Sequence, residues 1–147
     1  LLKCQGPFVI LSCGTMWSDF IGRGKDSWGR WDPEGREEIL RFIEENRIEG
    51  VLFISGDRHG ARGFEIPRPS GFTFYEFEPA SLGGRWGPGV KPRDNQLFGF
   101  DRQCAFGEFS VDATIADPEV TFRLVRDNGE ILYKLSLRRS QLTPQSK

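Results

Sequence analysis

The sequence predicts an α/β fold in which a parallel strand–helix–strand unit is followed by an antiparallel meander. The first observation is a pair of apolar runs, at residues 8–13 and 51–55, which flank a segment whose apolar residues have helical spacing. The second is the turn Asp127-Asn128-Gly129, which lies between two runs of strand-forming residues. A chain of 147 residues has the usual length of one domain and can bury a core of its own.

The composition is that of a globular protein, and it excludes several classes. Hydrophobic residues make up 37% and charged residues 28%, which does not match a disordered chain. Lysine and arginine number 20 against 21 for aspartate and glutamate, so general nucleic-acid binding is not expected. The sequence has no apolar run of about 18 residues that would predict a membrane span. Three cysteines without CxxC spacing do not predict a disulfide scaffold: Cys4, Cys13 and Cys104.

The first half of the chain contains the predicted βαβ unit. Residues 8–13 form a continuous apolar run, which predicts a strand buried on both faces. Residues 14–31 are rich in Gly, Ser and Trp and predict a long surface loop. A helix is predicted to follow, with Asp32 as its N-cap and Pro33 at its first position. Residues 51–55 predict a second strand, parallel to the first.

The second half of the chain predicts strands that are joined by turns and loops. The predicted strands are at residues 72–78, 107–114, 120–126 and 131–138. Residues 83–95 contain several Gly and Pro and predict a loop or a flexible lid. Residues 141–147 predict a frayed polar tail, so the domain is expected to span residues 1–140.

Two loops are expected to meet at one edge of the sheet. They are residues 14–31 and residues 56–63, and each follows the carboxyl end of a predicted parallel strand. In open sheets of this kind, ligands bind beyond the carboxyl ends of the strands. The sequence therefore places its candidate site at this edge.

Asp57 and His59 are the candidate metal ligands of this edge. They lie two residues apart, directly after the second strand, and His59 is the single histidine of the chain. Carboxylate oxygen and imidazole nitrogen are common metal ligands, and the glycines at positions 56 and 60 allow a tight turn. The alternative is an ordinary turn in which Asp57 caps local N–H groups. One metal ion needs three or four protein ligands, so others would have to complete the site.

The remaining candidates lie mostly in the loop of residues 14–31. Three tryptophans are favoured as anchors that pin this loop to the domain, and a substrate-stacking surface is the alternative: Trp17, Trp28 and Trp31. Four cations are candidate phosphate contacts: Arg23, Lys25, Arg30 and Arg58. A mononuclear metal hydrolase of another type would need further ligands among Asp19, Asp26 and Asp101. The sequence contains no Gly-x-Ser-x-Gly elbow, which disfavours a serine hydrolase.

Several segments, taken in order, resemble the C-terminal part of the PhoD-like (alkaline phosphatase D) metallophosphatases of the calcineurin-like metallophosphoesterase superfamily. The segments are Gly14-Thr15, Asp26-Ser27-Trp28, Trp31, the helix at residues 34–46, the run from Val51 to His59, and the strand and turn from Phe74 to Leu82. The closing strands around Phe98-Gly99 and Phe106-Gly107 fit less specifically. The resemblance covers residues 8–138, and the order of the segments carries it.

The resemblance implies the C-terminal portion of a four-layer α/β/β/α metallophosphoesterase fold with a two-metal site at the strand ends. It implies hydrolysis of phosphate mono- or diesters by metal-activated water or hydroxide. Asp57 and His59 are the residues that carry over as metal ligands, and His59 is the candidate catalytic residue. The metals implied are divalent or trivalent ions, with Ca, Fe, Zn and Mn equally open. The family also suggests an extracellular or periplasmic location.

The sequence departs from the family in two respects. The family's other metal-binding segments have no counterpart here and would precede Leu1, so an N-terminal remainder of the domain is an expected partner. Arg58 stands where the family usually has a small apolar residue between the Asp and the His. Two ligands cannot hold a two-metal centre, so weak metal binding is expected of this chain alone. The alternative function is a non-catalytic binding or structural module.

Overall fold

A computed structural model describes residues 1–18, 26–79, 81–83, 85–87 and 89–145. The elements are β1 (Val9–Ser12), α1 (Trp28–Trp31), α2 (Pro33–Glu45), β2 (Val51–Ile54), β3 (Ala61–Pro67), β4 (Thr73–Glu78), β5 (Gln96–Phe100), β6 (Ala105–Asp112), β7 (Glu119–Arg126) and β8 (Ile131–Arg138). A 3₁₀ helix at Arg139–Leu142 follows β8.

One sheet has five strands in the order β1-β2-β4-β3-β5. Strands β1, β2 and β4 are parallel neighbours, while β3 runs antiparallel to both β4 and β5. The carboxyl ends of the three parallel strands therefore lie along one edge, called here the carboxyl edge. The predicted parallel βαβ unit, β1-α2-β2, is confirmed.

Helix α2 begins as the sequence predicts. The side chain of Asp32 accepts a hydrogen bond from the backbone N–H of Gly35 at 3.0 Å, and Pro33 occupies the first position. This cap satisfies one of the N–H groups that lack a partner at a helix start. The buried residues Leu40 and Ile43 turn one face of the helix toward the five-stranded sheet.

The second sheet is the antiparallel meander β6-β7-β8, also as predicted. Gly129 in the β7–β8 turn has a φ of 87°, a left-handed conformation that glycine adopts without steric cost. Inward-facing Val120, Phe122 and Leu124 of β7 cover the sheet face opposite the helix.

The domain consists of three layers within its described residues: helix α2, the five-stranded sheet and the meander. One apolar cluster fills the space between helix and sheet: Trp17, Leu40, Ile43, Ile48, Val51, Phe53, Ile66 and Phe74. A second fills the space between the two sheets: Leu52, Ala61, Phe77, Phe98, Ala105, Val120, Phe122, Leu124, Leu137 and Leu142. In β2, Val51 and Phe53 belong to the first cluster and Leu52 to the second, as the period of a strand requires.

Strand β1 differs from its predicted burial. The apolar run predicts burial on both faces, but β1 is the end strand of its sheet and its residues are only partly covered. Ile10 pairs in register with Leu52 of the inter-sheet core and is nevertheless 43% exposed. The prediction of a fully buried strand is wrong because the meander does not reach across to β1.

Two further elements lie where the sequence predicts loops. The short helix α1 closes with the N–H of Asp32 donating to the carbonyl of Trp28 at 3.0 Å, so the predicted loop 14–31 ends in a helical turn. Strand β3 begins inside the predicted loop 56–63. A charged residue such as Arg62 does not predict a buried strand from sequence. In the structure its guanidinium is nevertheless buried, paired with an acid from the neighbouring strand.

The segment after residue 140 begins with packed structure rather than a frayed end. Leu142 is fully buried in the inter-sheet core. Its carbonyl accepts a hydrogen bond from the N–H of Gly50 at 2.9 Å, which connects the 3₁₀ helix to the start of β2. Separately, no helix in the described part of the chain is long and apolar enough to cross a membrane.

Candidate functional site

The turn that carries Asp57 and His59 leaves β2 at the carboxyl edge. Asp57 has a φ of 77° and His59 a φ of 53°, so both occupy the left-handed region of backbone space. Asp and His are among the residues other than glycine that tolerate this conformation best. Positive φ at two positions of one short turn is typical of a backbone that is constrained to present particular side chains.

Asp57 and His59, both exposed, line a cavity of about 460 Å³. The lining residues are Asp26, Asp57, Arg58, His59, Arg85, Trp86 and Gly87. Asp26 belongs to the loop after β1, whereas the run from Asp57 to His59 follows β2. The prediction that the two loops meet at one edge is confirmed by these contacts.

His59 is held in one tautomer by a backbone carbonyl. Its Nδ1 lies 2.6 Å from the carbonyl oxygen of Arg85. A carbonyl oxygen can only accept a hydrogen bond, so Nδ1 carries a proton, and in the neutral ring the lone pair is therefore on Nε2. This is the arrangement in which histidines usually bind metal ions, with the other ring nitrogen donating to a carbonyl or carboxylate.

Arg58 is bound by acids on both its backbone and its side chain. Its N–H donates to Oε1 of Glu78 at 2.9 Å, and its guanidinium Nη1 donates to Oδ2 of Asp26 at 2.8 Å. The bulky cation between Asp57 and His59 therefore turns toward the opposite loop and connects it to the β2 turn. Its Nε is buried without a hydrogen-bond partner among the described residues.

Glu76 is a buried carboxylate that joins three segments at the carboxyl edge. One oxygen accepts from the N–H of Trp17 at 2.6 Å and from the hydroxyl of Ser55 at 2.6 Å. The other accepts from the N–H of Ser18 at 2.8 Å. Charge-assisted hydrogen bonds of this kind compensate the cost of burying a carboxylate. Glu76 therefore fixes the start of the β1 loop against the end of β2.

Glu78 forms a buried ion pair with Arg62. The two side chains meet at 2.6 Å between Oε2 and Nη1, and each is only 2% exposed. Removal from water raises the pKa of Glu78 to about 7, although the nearby Arg62 opposes this rise. Burial likewise lowers the pKa of Arg62. The pair is also connected to the turn after β2, because Glu78 accepts a hydrogen bond from the N–H of Arg58.

The tryptophans of the loop are mainly anchors. The ring of Trp17 stacks on Phe53 with centroids 4.4 Å apart, and Trp28 packs against Trp17 at 4.9 Å. These contacts are those that the anchor interpretation predicts. Trp31 is 54% exposed, and its ring stacks on Trp28 of the same helix with centroids 6.2 Å apart.

The other candidates lie in the lining of the cavity, outside that lining, or outside the described residues. Arg30 does not line the cavity of Asp57 and His59 among the described residues. Asp26 lines the cavity but is paired with Arg58, while Asp101 lies outside the lining and has a buried Oδ1 without a described hydrogen-bond partner. Three further candidates lie outside the described residues: Asp19, Arg23 and Lys25.

Asp57 and His59 are of residue types that bind metal ions, but two ligands are too few to hold an ion. Asp57 offers a carboxylate, and His59 offers an imidazole whose tautomer leaves Nε2 available. Within the described ranges, no group of three His, Cys, Asp or Glu residues is arranged to hold a metal ion. The described part of the chain therefore supplies at most a portion of a metal site, and a mononuclear site made from it alone is not supported.

Three residues of this edge are not recognisable as site residues from the sequence. Glu76 and Glu78 fall within a predicted aromatic strand, and Arg85 falls within a predicted loop. A signal is nevertheless present, because residues 74, 76 and 78 share one strand face that starts with an apolar residue and ends with two acids. Acids at the carboxyl end of a strand parallel to β2 are well placed to support its turn.

Comparison with known proteins defines the class of fold. No protein-family model matches the chain, and no curated protein matches it significantly. A solved structure entitled "Structure of PhoD" matches with a TM-score of 0.63 at 16% identity, covering 96% of this chain. The chain covers 32% of that protein, so it spans about one third of its length. The predicted fold, a portion of the PhoD-like architecture, is confirmed at the level of structure.

Proposed function

We propose that this chain supplies part of the metal site of a phosphoric ester hydrolase of the phosphatase or phosphodiesterase type. The observation that carries the proposal is the pairing of Asp57 and His59 on one constrained turn, beside one cavity, in a fold similar to that of PhoD. Asp57 and His59 would be ligands of one or both ions of a two-metal centre. His59 would be the catalytic residue through the ion that it binds.

The chain's own residues would bind and orient the substrate. Arg85 and Arg58 contribute positive charge to the cavity wall, where a phosphate ester would bind. The guanidinium of Arg85 forms no ion pair within the described ranges, whereas that of Arg58 is paired with Asp26. Arg85 is therefore the better phosphate contact. The chemistry that metal ions supply to phosphate esters is polarisation of the phosphoryl oxygens and activation of water.

Further ligands would come from a partner segment, the remainder of a domain like that of PhoD. This is supported by the matched structure, which is about three times as long as the portion this chain covers. It is also supported by β1, which is the end strand of its sheet. Its residue Ile10 lies on the sheet face that packs against the meander elsewhere, but is itself exposed to solvent. An edge strand with an uncovered apolar face is suited to pairing with another strand. An exported location remains an expectation of the family resemblance.

The test compares metal content and phosphate ester hydrolysis for the natural full-length protein and for two variants, Asp57→Ala and His59→Ala. Loss of one ligand should lower turnover by about 100-fold or more and reduce the bound metal. A matched control is Asp112→Ala, because Asp112 is an exposed carboxylate that accepts hydrogen bonds from Thr114, close by in the chain. Unchanged turnover in both site variants would contradict the proposal.

A second candidate function is a non-catalytic binding or structural module. It is favoured by the lack of a third metal-binding side chain near Asp57 and His59 among the described residues. In this case the turn serves to connect β2 with the loop after β1 through the Arg58–Asp26 pair. Phosphate ester hydrolysis by the full-length natural protein, abolished by His59→Ala, would exclude this alternative.

A further inference from the structure

The segment Arg85–Gly87 contacts His59 on both its side chain and its backbone. The carbonyl of Arg85 accepts from Nδ1 of His59 at 2.6 Å. Two residues on, the N–H of Gly87 donates to the carbonyl of His59 at 3.2 Å. A short stretch of backbone therefore fixes the ring and the main chain of the same residue.

Gly87 permits this close approach because it has no side chain. A Cβ at this position would lie 2.4 Å from the carbonyl oxygen of Arg58, 3.0 Å from that of His59 and 3.1 Å from Cβ of His59. The first of these distances is far shorter than ordinary van der Waals contact, and the atom that it meets is backbone. Any larger residue must move the segment away from His59.

Ser81 lies near the same ring but does not determine its tautomer. Its hydroxyl is 3.5 Å from Nδ1 of His59 and 3.4 Å from the carbonyl of Arg85, both at the outer limit of hydrogen bonding. A hydroxyl can donate or accept, so it is compatible with either tautomer. The Arg85 carbonyl is much closer and can only accept.

We propose that Arg85–Gly87 is a positioning segment that locks His59 in its Nδ1–H tautomer and so presents Nε2 as the nitrogen that binds the metal ion. The proposal rests on the proposed function, since it assigns a supporting segment to the same histidine. Partners of the second ring nitrogen commonly change metal affinity by about 10- to 100-fold when they are lost. The close contacts to backbone atoms make Arg85 and Gly87, rather than Ser81, the residues responsible.

The test is the nitrogen NMR spectrum of the imidazole, which needs neither metal nor substrate. His59 is the single histidine, so a chain labelled with ¹⁵N-histidine gives signals from one ring. The spectrum is recorded over a range of alkaline pH, and the limit at which the ring-nitrogen signals no longer change with pH reports the neutral imidazole. The expected result is one dominant tautomer with the proton on Nδ1, together with slow hydrogen exchange at the Gly87 amide.

The variants are Gly87→Ala, Gly83→Ala and Ser81→Ala. Gly87→Ala should give an exchanging mixture of the two tautomers and faster exchange at the amide of residue 87. Gly83→Ala is the matched control, because a Cβ there has no atom of the described residues within 4 Å, and it should keep the wild-type spectrum. Ser81→Ala should keep the Nδ1–H tautomer as well.

Several outcomes would overturn the positioning role. They are a wild-type ring with its proton on Nε2, an unchanged tautomer in folded Gly87→Ala, or loss of the tautomer in Ser81→Ala. If Gly87→Ala does not fold, the wild-type tautomer and the protection of the Gly87 amide decide the matter. The hydrolysis assays of Asp57→Ala and His59→Ala are independent of this spectrum, so failure of the proposed function and failure of the positioning role are distinguishable.

Discussion

The carboxyl edge and the meander contain ion pairs of nearly the same geometry in opposite surroundings. At the edge, Arg62 and Glu78 meet at 2.6 Å and are each 2% exposed. In the meander, Arg123 and Glu108 meet at 2.7 Å with 27% and 50% exposure. Water screens the second pair and is excluded from the first. Similar contacts should therefore make very different contributions, and the edge should depend far more on its charges.

The largest expected difference is between Arg62→Ala and Arg123→Ala. Removing Arg62 leaves the carboxylate of Glu78 buried without its partner, which should lower the free energy of unfolding by about 3–5 kcal/mol. Removing Arg123 should cost less than about 1 kcal/mol. Chemical denaturation of both variants at a pH well above the pKa of about 7 that Glu78 has in the folded protein, where this carboxyl is ionised, measures the difference. The comparison fails if the two losses are equal.

A double variant separates the ion pair from its uncompensated charge. Arg62→Met with Glu78→Leu replaces both members by apolar side chains of similar size. Such replacements are often close to neutral, so the double variant should recover most of the stability that Arg62→Ala loses. A double variant as unstable as Arg62→Ala would show that the pair itself, and not the unpaired carboxylate, is what stabilises the edge.

The pH dependence of stability should also distinguish the two regions. Because burial raises the pKa of Glu78 from its ordinary 4.5 to about 7, the folded state holds this proton more tightly than the unfolded state. Its contribution is full below about pH 4.5 and is lost as the pH rises through about 7, by at most about 3 kcal/mol. The hydrogen bond from Arg68 lowers the pKa of Glu37, so the contribution of Glu37 to stability is lost only as the pH falls below about 4.5, outside this window.

Glu78→Gln is the variant that isolates this effect. Denaturation between about pH 4.5 and 7.5 should show stability that falls with pH in the wild-type chain and a flatter profile in the variant. Glu108→Gln in the meander is the matched control, and it should keep the wild-type slope. A wild-type profile that is already flat would show that the Arg62–Glu78 pair remains ionised throughout.

Glu76→Gln should have the next largest effect. The amide keeps the size of the side chain but removes its charge, and its NH₂ group would face a donor: the N–H of Ser18, or the donors Trp17 N–H and Ser55 Oγ. One or two hydrogen bonds to a charged group are lost, which should cost about 2 kcal/mol. Thermal or chemical denaturation gives the value, and the summed tryptophan fluorescence should change because the loop of Trp17 is released. An unchanged stability would mean that Glu76 does not fix this loop.

The same contrast explains which features the sequence predicts. The meander and helix α2 follow from local signals, namely the Asn128-Gly129 turn and the Asp32 cap. The carboxyl edge depends on contacts between residues far apart in sequence, such as Trp17 with Glu76 and Arg58 with Asp26. No local pattern encodes those pairs.

Candidate site residues follow the same rule. Asp57 and His59 are recognisable because they lie next to each other after an apolar strand. Glu78 and Arg85 act on that turn from 20 and 26 residues away, through the N–H of Arg58 and the ring of His59. Their roles emerge only when the parallel pairing of β2 with β4 places their segments beside the turn. Strand β3 escapes prediction for a related reason, since its buried Arg62 has the sequence signature of a surface charge.

The smallest expected effect concerns the glycines, which serve different purposes in the two regions. Gly129 of the meander needs its φ of 87°, and a Cβ added there would meet no atom of the described residues within 4 Å. Gly87 of the edge instead needs space beside the Arg58 carbonyl. Gly129→Ala should therefore cost about 1 kcal/mol through backbone strain alone. Gly129→Asn should recover part of this loss, because asparagine tolerates the left-handed conformation better than alanine. Equal losses in denaturation of the two variants would show that strain at this turn is not the cause.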